Sequence, residues 1–578
     1  MHVVATAGHV DHGKSTLVRA LTGMEPDRLD EERRRGLTVD LGFAWTEVEA
    51  GTVAFVDVPG HERFVPNMLA GAGPVTAAMF VVAADEGWQA QSAEHLAALD
   101  AFGVRRGLLV VSKADRADPA PVVADVSERL AATTLGEVPA VAVSATTGAG
   151  LDELRTRLSE LVRTLPHPDG DADVRLWADR VFTVRGAGTV VTGTLGAGRI
   201  AVGDELELSG SGRRASVRGL QSLGRAREEV TAVARVAVNL RGVDRGELRR
   251  GEALLTPAAW RGTREVDVRV RGEKAAELHR ELVLHVGAAG VPCRVRPLGG
   301  DTARLTLAAP LPLRCGDIGL VRDPGQHRVP AGVEVLDPDP PELRRRGAAR
   351  ERAVDLEGGD PAAVYLRRHG VVARSELRAR GFGERGRAVG RWAVDEALLA
   401  ELPARARQRF DAFVTDEPLA AGMPVDALRR ELDVPTELVA TAAADAGLHV
   451  RDGLVQRPEA TALPEWVDRA VRRIEGWLAE EPFEAPDAEE LADLGLGPRE
   501  LAAAERAGRL VRITDTLVLA DGALERAAEV LAGLDAPFTV SAARKALGTS
   551  RRVAVPLLER LDADGVTRRR ADGTRELR

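Results

Sequence analysis

The sequence has 578 residues, of which 44% are hydrophobic and 29% are charged, and its net charge is −9. These values predict a globular protein of about four domains and argue against a chain coated with nucleic acid over its whole surface. Two cysteines, Cys293 and Cys315, are too few for a disulfide framework or a zinc site, which indicates a reducing compartment. No signal peptide or membrane span is expected, because the longest apolar run, Val75 to Ala84, is about half of what a bilayer needs.

The first predicted element is an apolar strand, Val3 to Ala7, followed by a glycine-rich loop and a helix. The loop has the spacing GxxxxGK[ST]. Its glycines let the backbone wrap a phosphate, and the N–H groups and dipole of the helix N-terminus favour an anion. Lys14 adds a positive charge for the β- and γ-phosphates, and Ser15 offers a hydroxyl to Mg²⁺. The predicted nucleotide site comprises Gly8, Val10, Asp11, His12, Gly13, Lys14, Ser15 and Thr16.

Up to about residue 170, apolar runs alternate with helical stretches: TVAFV, AAMFVV, GLLVV and AVAV. Continuous apolar runs suit strands that are buried on both faces, so they predict a parallel sheet with helices on either side. Ligands of such sheets bind at the carboxyl ends of the strands. The remaining motifs of this region all fall at such ends.

Residues around the γ-phosphate are predicted from a DxxG motif that follows the run TVAFV. Asp57 is placed to hold Mg²⁺ through water, and the Gly60 N–H is placed to reach the γ-phosphate. His61, the next residue, is predicted to orient the attacking water. Thr38 ends a charged stretch and is predicted to bind Mg²⁺ only with the γ-phosphate present, as a switch does. A turn, a surface histidine and a helix cap are the structural alternatives.

The base is predicted to bind at Ser112-Lys113-Ala114-Asp115, which ends the run GLLVV. A carboxylate there can accept from both N1–H and the N2 amine of guanine. Adenine lacks this donor pair, so Asp115 predicts GTP rather than ATP, and the Lys113 stem is predicted to stack on the base. Ser144 and Ala145 follow the run AVAV, where the Ala145 amide is a second predicted guanine contact.

Together, GHVDHGK, RRGLT, DVPGHERF and the Lys-Ala-Asp element resemble a translational GTPase of the elongation factor Tu class. The resemblance implies Mg²⁺-dependent GTP hydrolysis with His61 as the catalytic residue. Val10 is similar to the apolar gate that keeps the catalytic histidine of that family off the water. The family usually has Asn where Ser112 stands, so a weaker guanine contact is expected.

From about 171 to 340 the pattern changes to short alternating strands separated by glycine-rich turns. This pattern predicts two antiparallel β-barrels, at 171–260 and 261–340, with a seam at TPAAWRGT. The segment DRVFTVRGAGTVVTGTLGAG resembles the second domain of the same family, which helps to hold the aminoacyl end of tRNA.

For the selenocysteine-specific branch of that family, the resemblance implies a more cationic aminoacyl pocket, because a selenol is an anion at neutral pH. Arginine suits such a group, since it stays charged and donates in a fork. The candidates are Arg180, with Asp179 to orient it, and Arg235. Ion pairs on the barrel surface explain these residues equally well.

The linker LDPDPPE, at 336–342, ends the β pattern, and the stretch 345–578 is predicted to be helical with short strand pairs. About four units repeat the outline helix, turn, helix and two-strand wing, which predicts tandem winged helices. In the last unit, near 535–578, Thr549 or Ser550 is predicted to cap a helix, and Asp572-Gly573 to form the hairpin turn of the wing.

Positive charge is concentrated in this last unit, where residues 539–578 contain ten Lys and Arg against five Asp and Glu. Charge gathered on one helix and one wing indicates nucleic-acid binding, although a solvated surface is the alternative. The predicted contacts are Arg551, Arg552, Arg568, Arg569 and Arg570.

The whole layout resembles the bacterial selenocysteine-specific elongation factors. This resemblance implies a cytoplasmic monomer that binds GTP and selenocysteinyl-tRNA and delivers it to the ribosome at UGA codons marked by an mRNA hairpin. Two alternatives stay open: a general aminoacyl- or initiator-tRNA GTPase, and a GTP-switched transcription regulator whose winged helices bind duplex DNA.

Overall fold

The computed structural model describes residues 1–26, 41–59, 75–184, 188–458 and 463–578. They form two compact units, Met1–Gly386 and Arg387–Arg578. In this part of the chain, no helix has the length and apolar character needed to span a bilayer.

The first unit opens with a six-stranded sheet in the order β2-β3-β1-β4-β5-β6. Its strands and helices are β1 (His2–Ala7), α1 (Lys14–Thr22), β2 (Gly42–Val48), β3 (Gly51–Asp57), β4 (Ala77–Ala83), α2 (Ala90–Ala101), β5 (Gly107–Ser112), α3 (Ala120–Ala131), β6 (Ala140–Ala142) and α4 (Leu151–Thr164). All strands run parallel except β2, which pairs antiparallel with β3. Every residue of β4 is buried, as a strand covered on both faces requires. The predicted parallel sheet is confirmed.

Two sets of antiparallel strands follow in the same unit. The first set is β7 (Arg175–Trp177), β8 (Arg180–Val184), β9 (Gly188–Leu195), β10 (Arg199–Ala201), β11 (Glu205–Leu208), β12 (Arg214–Ser222), β13 (Arg225–Arg227), β14 (Glu229–Thr231), β15 (Ala234–Leu240) and β16 (Ala253–Leu255). It makes an eight-stranded sheet, with β10 and β14 paired apart from it. The second set is β17 (Gly262–Gly272), β18 (Glu281–Val286), β19 (Ala289–Gly299), β20 (Thr302–Pro312), β21 (Ile318–Asp323) and β22 (Arg328–Asp337). It closes into a six-stranded barrel.

The first unit ends with α5 (Ala348–Leu356), α6 (Pro361–His369), β23 (Val371–Ala373) and α7 (Arg374–Ala379). The second unit begins with a hairpin, β24 (Arg387–Val389) and β25 (Trp392–Val394). Its next group is α8 (Glu396–Asp416), β26 (Met423–Pro424), α9 (Val425–Leu432), α10 (Thr436–Asp445), β27 (His449–Arg451) and β28 (Leu454–Gln456). Three helices followed by a hairpin make this group a winged helix, as predicted.

The last two groups repeat this order. One is α11 (Glu465–Glu480), α12 (Ala488–Asp493), α13 (Pro498–Arg506), β29 (Leu510–Thr514) and β30 (Leu517–Ala520). The other is α14 (Ala523–Ala532), α15 (Val540–Ala546), α16 (Arg551–Ala563), β31 (Thr567–Arg569) and β32 (Arg575–Leu577). They share one hydrophobic core, in which Ile474 and Leu517 of the first group join Leu557 and Leu561 of the second. The two groups therefore form one packed body.

The start of α16 differs from the prediction. Ser550 occupies the N-cap position, but its side chain makes no capping hydrogen bond. The Thr549 hydroxyl instead donates to the carbonyl oxygen of Phe483, at 2.5 Å. The predicted side-chain cap is therefore wrong, because packing against the preceding group takes up the threonine.

Candidate nucleotide site, cationic cavity and basic wing

The glycine-rich loop joins β1 to α1 as predicted. Gly8 and Gly13 have φ values of +129° and +75°, which only glycine adopts at low cost. A Cβ on Gly8 would lie 2.1 Å from the carbonyl oxygen of Val81, so the close approach of β4 also requires glycine. The Lys14 ammonium donates to the carbonyl oxygens of Gly8, at 3.0 Å, and His9, at 2.7 Å. The lysine side chain therefore lies along the loop that would hold the phosphates.

The remaining loop residues lie around this turn. Val10 to His12 form one turn of 3₁₀ helix, in which His12 is buried and its Nδ1 lies 3.1 Å from the carbonyl oxygen of Val81. Asp11 is exposed, and Thr16 is exposed in the first turn of α1. The predicted loop residues are thus brought together at one edge of the sheet.

Helix α2 supports the loop through two side chains that the sequence analysis missed. The Gly8 N–H donates to Nδ1 of His95 at 3.0 Å, and the Val10 N–H donates to Oε1 of Gln91 at 3.3 Å. Burial lowers the pKa of His95 to about 3, so its ring is neutral at pH 7 and Nδ1 can accept. The two residues follow the loop by more than 80 positions, and no local motif marks them.

Replacing His95 with alanine is expected to weaken GDP binding by about 5- to 150-fold, because a buried N–H left without an acceptor costs about 1–3 kcal/mol. His95→Gln, which keeps an acceptor, should recover most of the affinity. Nucleotide titration calorimetry measures both. The matched control is His279→Ala, since His279 is exposed on the barrel. Equal affinity of the His95→Ala and wild-type proteins would contradict this role.

Asp57, the last residue of β3, is fully buried. Its Oδ1 accepts from the Thr6 hydroxyl at 2.6 Å, and the same hydroxyl accepts from the Val58 N–H at 3.2 Å. This fixes the carboxylate at the carboxyl edge of the sheet. Together with the Ser15 hydroxyl it offers the hard oxygen ligands that Mg²⁺ prefers, so the residues present fit this ion. Three predicted residues lie outside the described part of the chain: Thr38, Gly60 and His61.

Ser112 has a structural role that the sequence did not predict. It is buried at the end of β5, and its hydroxyl donates to the carbonyl oxygen of His12 at 2.7 Å. Although the expected asparagine is missing, a side chain at this position still ties the base-reading strand to the phosphate loop.

The predicted guanine contacts lie together beyond β5 and β6. Asp115 is exposed, and a hydrogen bond from Ser144 lowers the pKa of its carboxyl group, so the group is ionised at pH 7. Ala145 is partly exposed next to Ser144. The Lys113 ammonium forms ion pairs with Glu86 and, at 3.5 Å, with Asp85. At one edge of a base, an oriented carboxylate such as that of Asp115 can accept hydrogen bonds, and the neighbouring backbone N–H can donate one.

A cavity of about 260 Å³ lies between β2 and β3 on one side and β8, β9, β12 and β15 on the other. Of the described residues that line it, only Arg180 and Arg235 are charged. Their guanidinium carbons lie 5.3 Å and 3.8 Å from the centre of the Phe43 ring, within the range of a cation–π contact. Phe43 was not predicted, since nothing in the sequence places β2 against the barrel strands.

The predicted pairing of Asp179 with Arg180 is wrong. Asp179 is buried and makes a two-pronged ion pair with Arg235, in which Nη2 lies 2.7 Å from Oδ1. The Thr192 hydroxyl also donates to Oδ1, at 2.7 Å. Arg180 instead donates to the carbonyl oxygen of Leu41 at 2.5 Å. The two arginines that line the cavity are therefore held by different partners, Arg180 by Leu41 and Arg235 by Asp179.

At the C-terminal end, the predicted wing is confirmed. β31 and β32 pair antiparallel, and Gly573 has φ +84° in the turn. All five predicted contacts are exposed: Arg551, Arg552, Arg568, Arg569 and Arg570. Arg552 is held by the carbonyl oxygens of Ala485 and Pro486, and Arg570 pairs with Glu576. These two side chains are thus already engaged within the protein.

Comparison with known proteins agrees with this division of the chain. Family models match at residues 1–164 (elongation factor Tu GTP-binding domain), 263–342 (selenocysteine-specific elongation factor, β-barrel domain) and 529–575 (elongation factor SelB, winged helix). The selenocysteine-specific elongation factor of Escherichia coli K12 is 32% identical over 99% of this chain and 98% of its own length. The chain belongs to the selenocysteine-specific elongation factor family.

Other members of the family match over part or all of the chain. The selenocysteine-specific elongation factor of Desulfomicrobium baculatum is 40% identical, and the match covers 65% of this chain and 62% of that protein. Among solved structures, a bacterial selenocysteine-specific elongation factor, EF-Sec, has the same fold, with a TM-score of 0.76, 24% identity and full coverage of both chains. SelB of Methanococcus maripaludis in complex with GppNHp has a TM-score of 0.52 and 25% identity, over 59% of this chain and 79% of its own.

Membership of the selenocysteine-specific elongation factor family confirms the predicted family and fold class. It also makes the first domain a translational GTPase domain and the protein a translation factor.

Proposed function

We propose that this protein binds GTP and selenocysteinyl-tRNA, delivers the tRNA to the ribosome at UGA codons marked by an mRNA hairpin, and hydrolyses GTP there. The supporting observation is that one chain combines a phosphate loop, a cavity lined by two arginines against the same domain, and a basic terminal wing. The protein acts as a cytoplasmic monomer. Its functional domains are the GTP-binding domain (1–170), two barrels (171–260 and 261–340) and the winged helices (345–578).

In the GTP site, the backbone amides from Gly13 to Thr16 and the Lys14 ammonium hold the phosphates, while His95 and Gln91 fix the first half of the loop. Asp115 and the Ala145 amide hold the guanine. Ser15, Thr38 and, through water, Asp57 would hold Mg²⁺, which would supply charge neutralisation at the phosphates.

Hydrolysis needs no covalent intermediate. His61 orients the attacking water, and the Gly60 N–H and the loop amides stabilise the charge that develops on the γ-phosphate. Val10 keeps His61 away from the water until the ribosome is engaged. Since His61 takes no part in nucleotide binding, its replacement should slow GTP hydrolysis and leave the affinity for GTP unchanged.

The cationic cavity is the proposed site for the selenocysteinyl side chain. Two guanidinium groups line it, Arg180 and Arg235, and Arg235 is held in place by its ion pair with Asp179. A selenolate is an anion at neutral pH, whereas the hydroxyl of serine is neutral. Charge therefore distinguishes the two cargoes, because the guanidinium groups attract the selenolate more strongly than the neutral hydroxyl.

Replacing Arg180 with glutamine is expected to weaken selenocysteinyl-tRNA binding about tenfold or more, since a hydrogen bond to a charged group is worth about 1.5–3 kcal/mol. Seryl-tRNA affinity should stay unchanged. Protection of the aminoacyl ester from hydrolysis, in the presence of GTP, measures both. The control is Arg225→Gln, at an exposed position on β13 of the same domain. An unchanged ratio of the two affinities would remove this pocket and favour a general aminoacyl-tRNA GTPase.

The mRNA tether is tested with the full-length protein, an RNA hairpin and a DNA duplex of equal length. The hairpin should bind more tightly, because proteins recognise RNA through unpaired loop bases and phosphates rather than through the narrow A-form major groove, and the DNA duplex has no such loop. With about five phosphate contacts, log K should fall with log salt at a slope of about −3.5 to −4.5. The double change of Arg568 and Arg569 to glutamine should reduce this slope by about 1.5. Tighter binding to the DNA would favour the transcription regulator.

A further inference from the structure

One face of α11 carries two arginines between two tryptophans. At 3.6 residues per turn, the second, ninth and twelfth residues of this helix fall within about 40° of one another, and the fifth lies beside them. These residues are Trp466, Arg473, Trp477 and Arg469. A neighbouring face, centred about 110° round the helix, packs into the shared core of the last two winged helices and comprises Val467, Val471, Ile474 and Leu478. We call the first surface the Trp-Arg face.

The Trp-Arg face is exposed except at Trp477, which is half-buried and packs with part of its ring against the shared core. Trp466 is 47% exposed, although the chain has only seven tryptophans and such a side chain gains free energy by burial. The guanidinium carbon of Arg473 lies 5.4 Å from the centre of the Trp477 ring, which holds the two side chains in a cation–π pair. Arg469 is 76% exposed and meets only a 92% exposed Glu465, at 3.5 Å, among the described ion pairs. Such a pair is worth little, so the arginine can change partners.

We propose that the Trp-Arg face binds single-stranded RNA that continues from the mRNA hairpin. Base faces would stack on Trp466 and Trp477, while Arg469 and Arg473 neutralise the phosphates between them, which is how proteins hold single strands without reading their sequence. The inference rests on the proposed mRNA tether and adds a second ligand segment to it.

The size of the Trp-Arg face favours RNA over a protein partner. From Trp466 to Trp477 the helix rises about 16 Å, and it is about 10 Å wide, so the face covers about 160 Å². A stable protein interface buries about 800 Å² per partner. A few stacked nucleotides match the smaller area, and the acidic residues beside the face, Glu465 and Glu480, lie at its two ends rather than between the tryptophans.

The shared core explains how the unpaired RNA segment can add to the binding affinity of the hairpin. Because α11 packs in the same body as α16 and the last wing, RNA held at the wing is presented to the Trp-Arg face at a high effective concentration. A few stacked bases, which are weak ligands alone, then add to the affinity of the hairpin. In this arrangement the last wing holds the paired stem of the hairpin, and the Trp-Arg face holds the unpaired nucleotides next to it.

The experiment compares the full-length protein with three RNAs: the bare hairpin, and the hairpin with about eight unpaired nucleotides on its 5′ or 3′ side. One extension should tighten binding about 5- to 100-fold, from base stacking at about 1–3 kcal/mol per base. Trp466→Ala should abolish that gain and leave the affinity for the bare hairpin unchanged, while Trp466→Phe should retain most of it. The control is Val450→Ala, at a position 43% exposed elsewhere in the second unit.

Three results would overturn the inference. They are an extension that adds no affinity, an equal loss of bare-hairpin affinity in Trp466→Ala, and binding to mRNA-free ribosomes that Trp466→Ala abolishes, since this last result would assign the face to a ribosomal partner. Failure of the wild-type protein to bind the bare hairpin would instead overturn the proposed tether, so the two failures are distinguishable.

Discussion

Replacing Asp115 with asparagine is expected to weaken GTP binding by about 10²- to 10⁴-fold and to create binding of xanthosine triphosphate. The change removes a hydrogen bond to a charged group, at about 1.5–3 kcal/mol, and places an N–H₂ against the guanine N2 amine, which costs about 1–3 kcal/mol more. Xanthine carries a carbonyl oxygen at that position and can accept from the new amide. The bond from Ser144 can still orient the asparagine oxygen.

Competition between GTP, ATP and xanthosine triphosphate for a fluorescent nucleotide measures this exchange. Asp125→Asn is a matched control, because Asp125 lies exposed on α3 and pairs only with Arg129 among the described ion pairs. Full GTP affinity in Asp115→Asn, or equal affinity of the wild-type protein for ATP, would show that another group selects the base.

The phosphate loop and the sheet were predictable because their signals are local. The strand before the loop, the glycines at left-handed φ and the helix after it all lie within about twenty residues. Each predicted strand is a continuous apolar run, and burial on both faces of a parallel sheet requires such runs. The winged-helix outline was also visible, since it repeats along the chain.

The supports of the site were not predictable, because they come from distant elements. His95 meets Gly8 only when α2 packs beside β1, and Phe43 meets Arg235 only when the first sheet contacts the barrel strands. The wrong pairing of Asp179 with Arg180 has the same cause. Asp179 lies in a bend just before β8, and its carboxylate meets Thr192 of β9 and Arg235 of β15, which stand beside it only in the folded sheet.

The linker LDPDPPE shows the same limit. Its prolines and acidic residues predicted the end of the β pattern, and β22 does end at Asp337. Yet Asp337 is buried and accepts from Arg352 at 2.5 Å and from Arg368 at 3.0 Å. The acidic charge of the linker therefore holds α5 and α6 against the barrel, which composition alone could not reveal.

Replacing Asp267 with asparagine is expected to lower the free energy of unfolding of the closed barrel by about 3–5 kcal/mol. Asp267 is fully buried on β17 and accepts from Arg304 of β20 and Arg352 of α5, each through Nε at 2.7 Å. Both arginines are only 4% exposed. The asparagine would replace the carboxylate that the two cations share by one neutral oxygen and an N–H₂ group that faces their donors, and it would leave Asp337 as the anion beside Arg352. The barrel and α5 should therefore loosen together.

Hydrogen exchange of β17, β20 and α5 in the full-length protein, with chemical denaturation, measures this loss. Asp301→Asn is the matched control, because Asp301 is 52% exposed and meets Arg269 at 3.3 Å, a surface pair worth less than about 1 kcal/mol. GTP binding should stay unchanged in both variants, since the nucleotide site lies in another domain. If Asp267→Asn destabilised the barrel no more than the control, the buried network would be a consequence of packing rather than the bond that fixes α5 to the barrel.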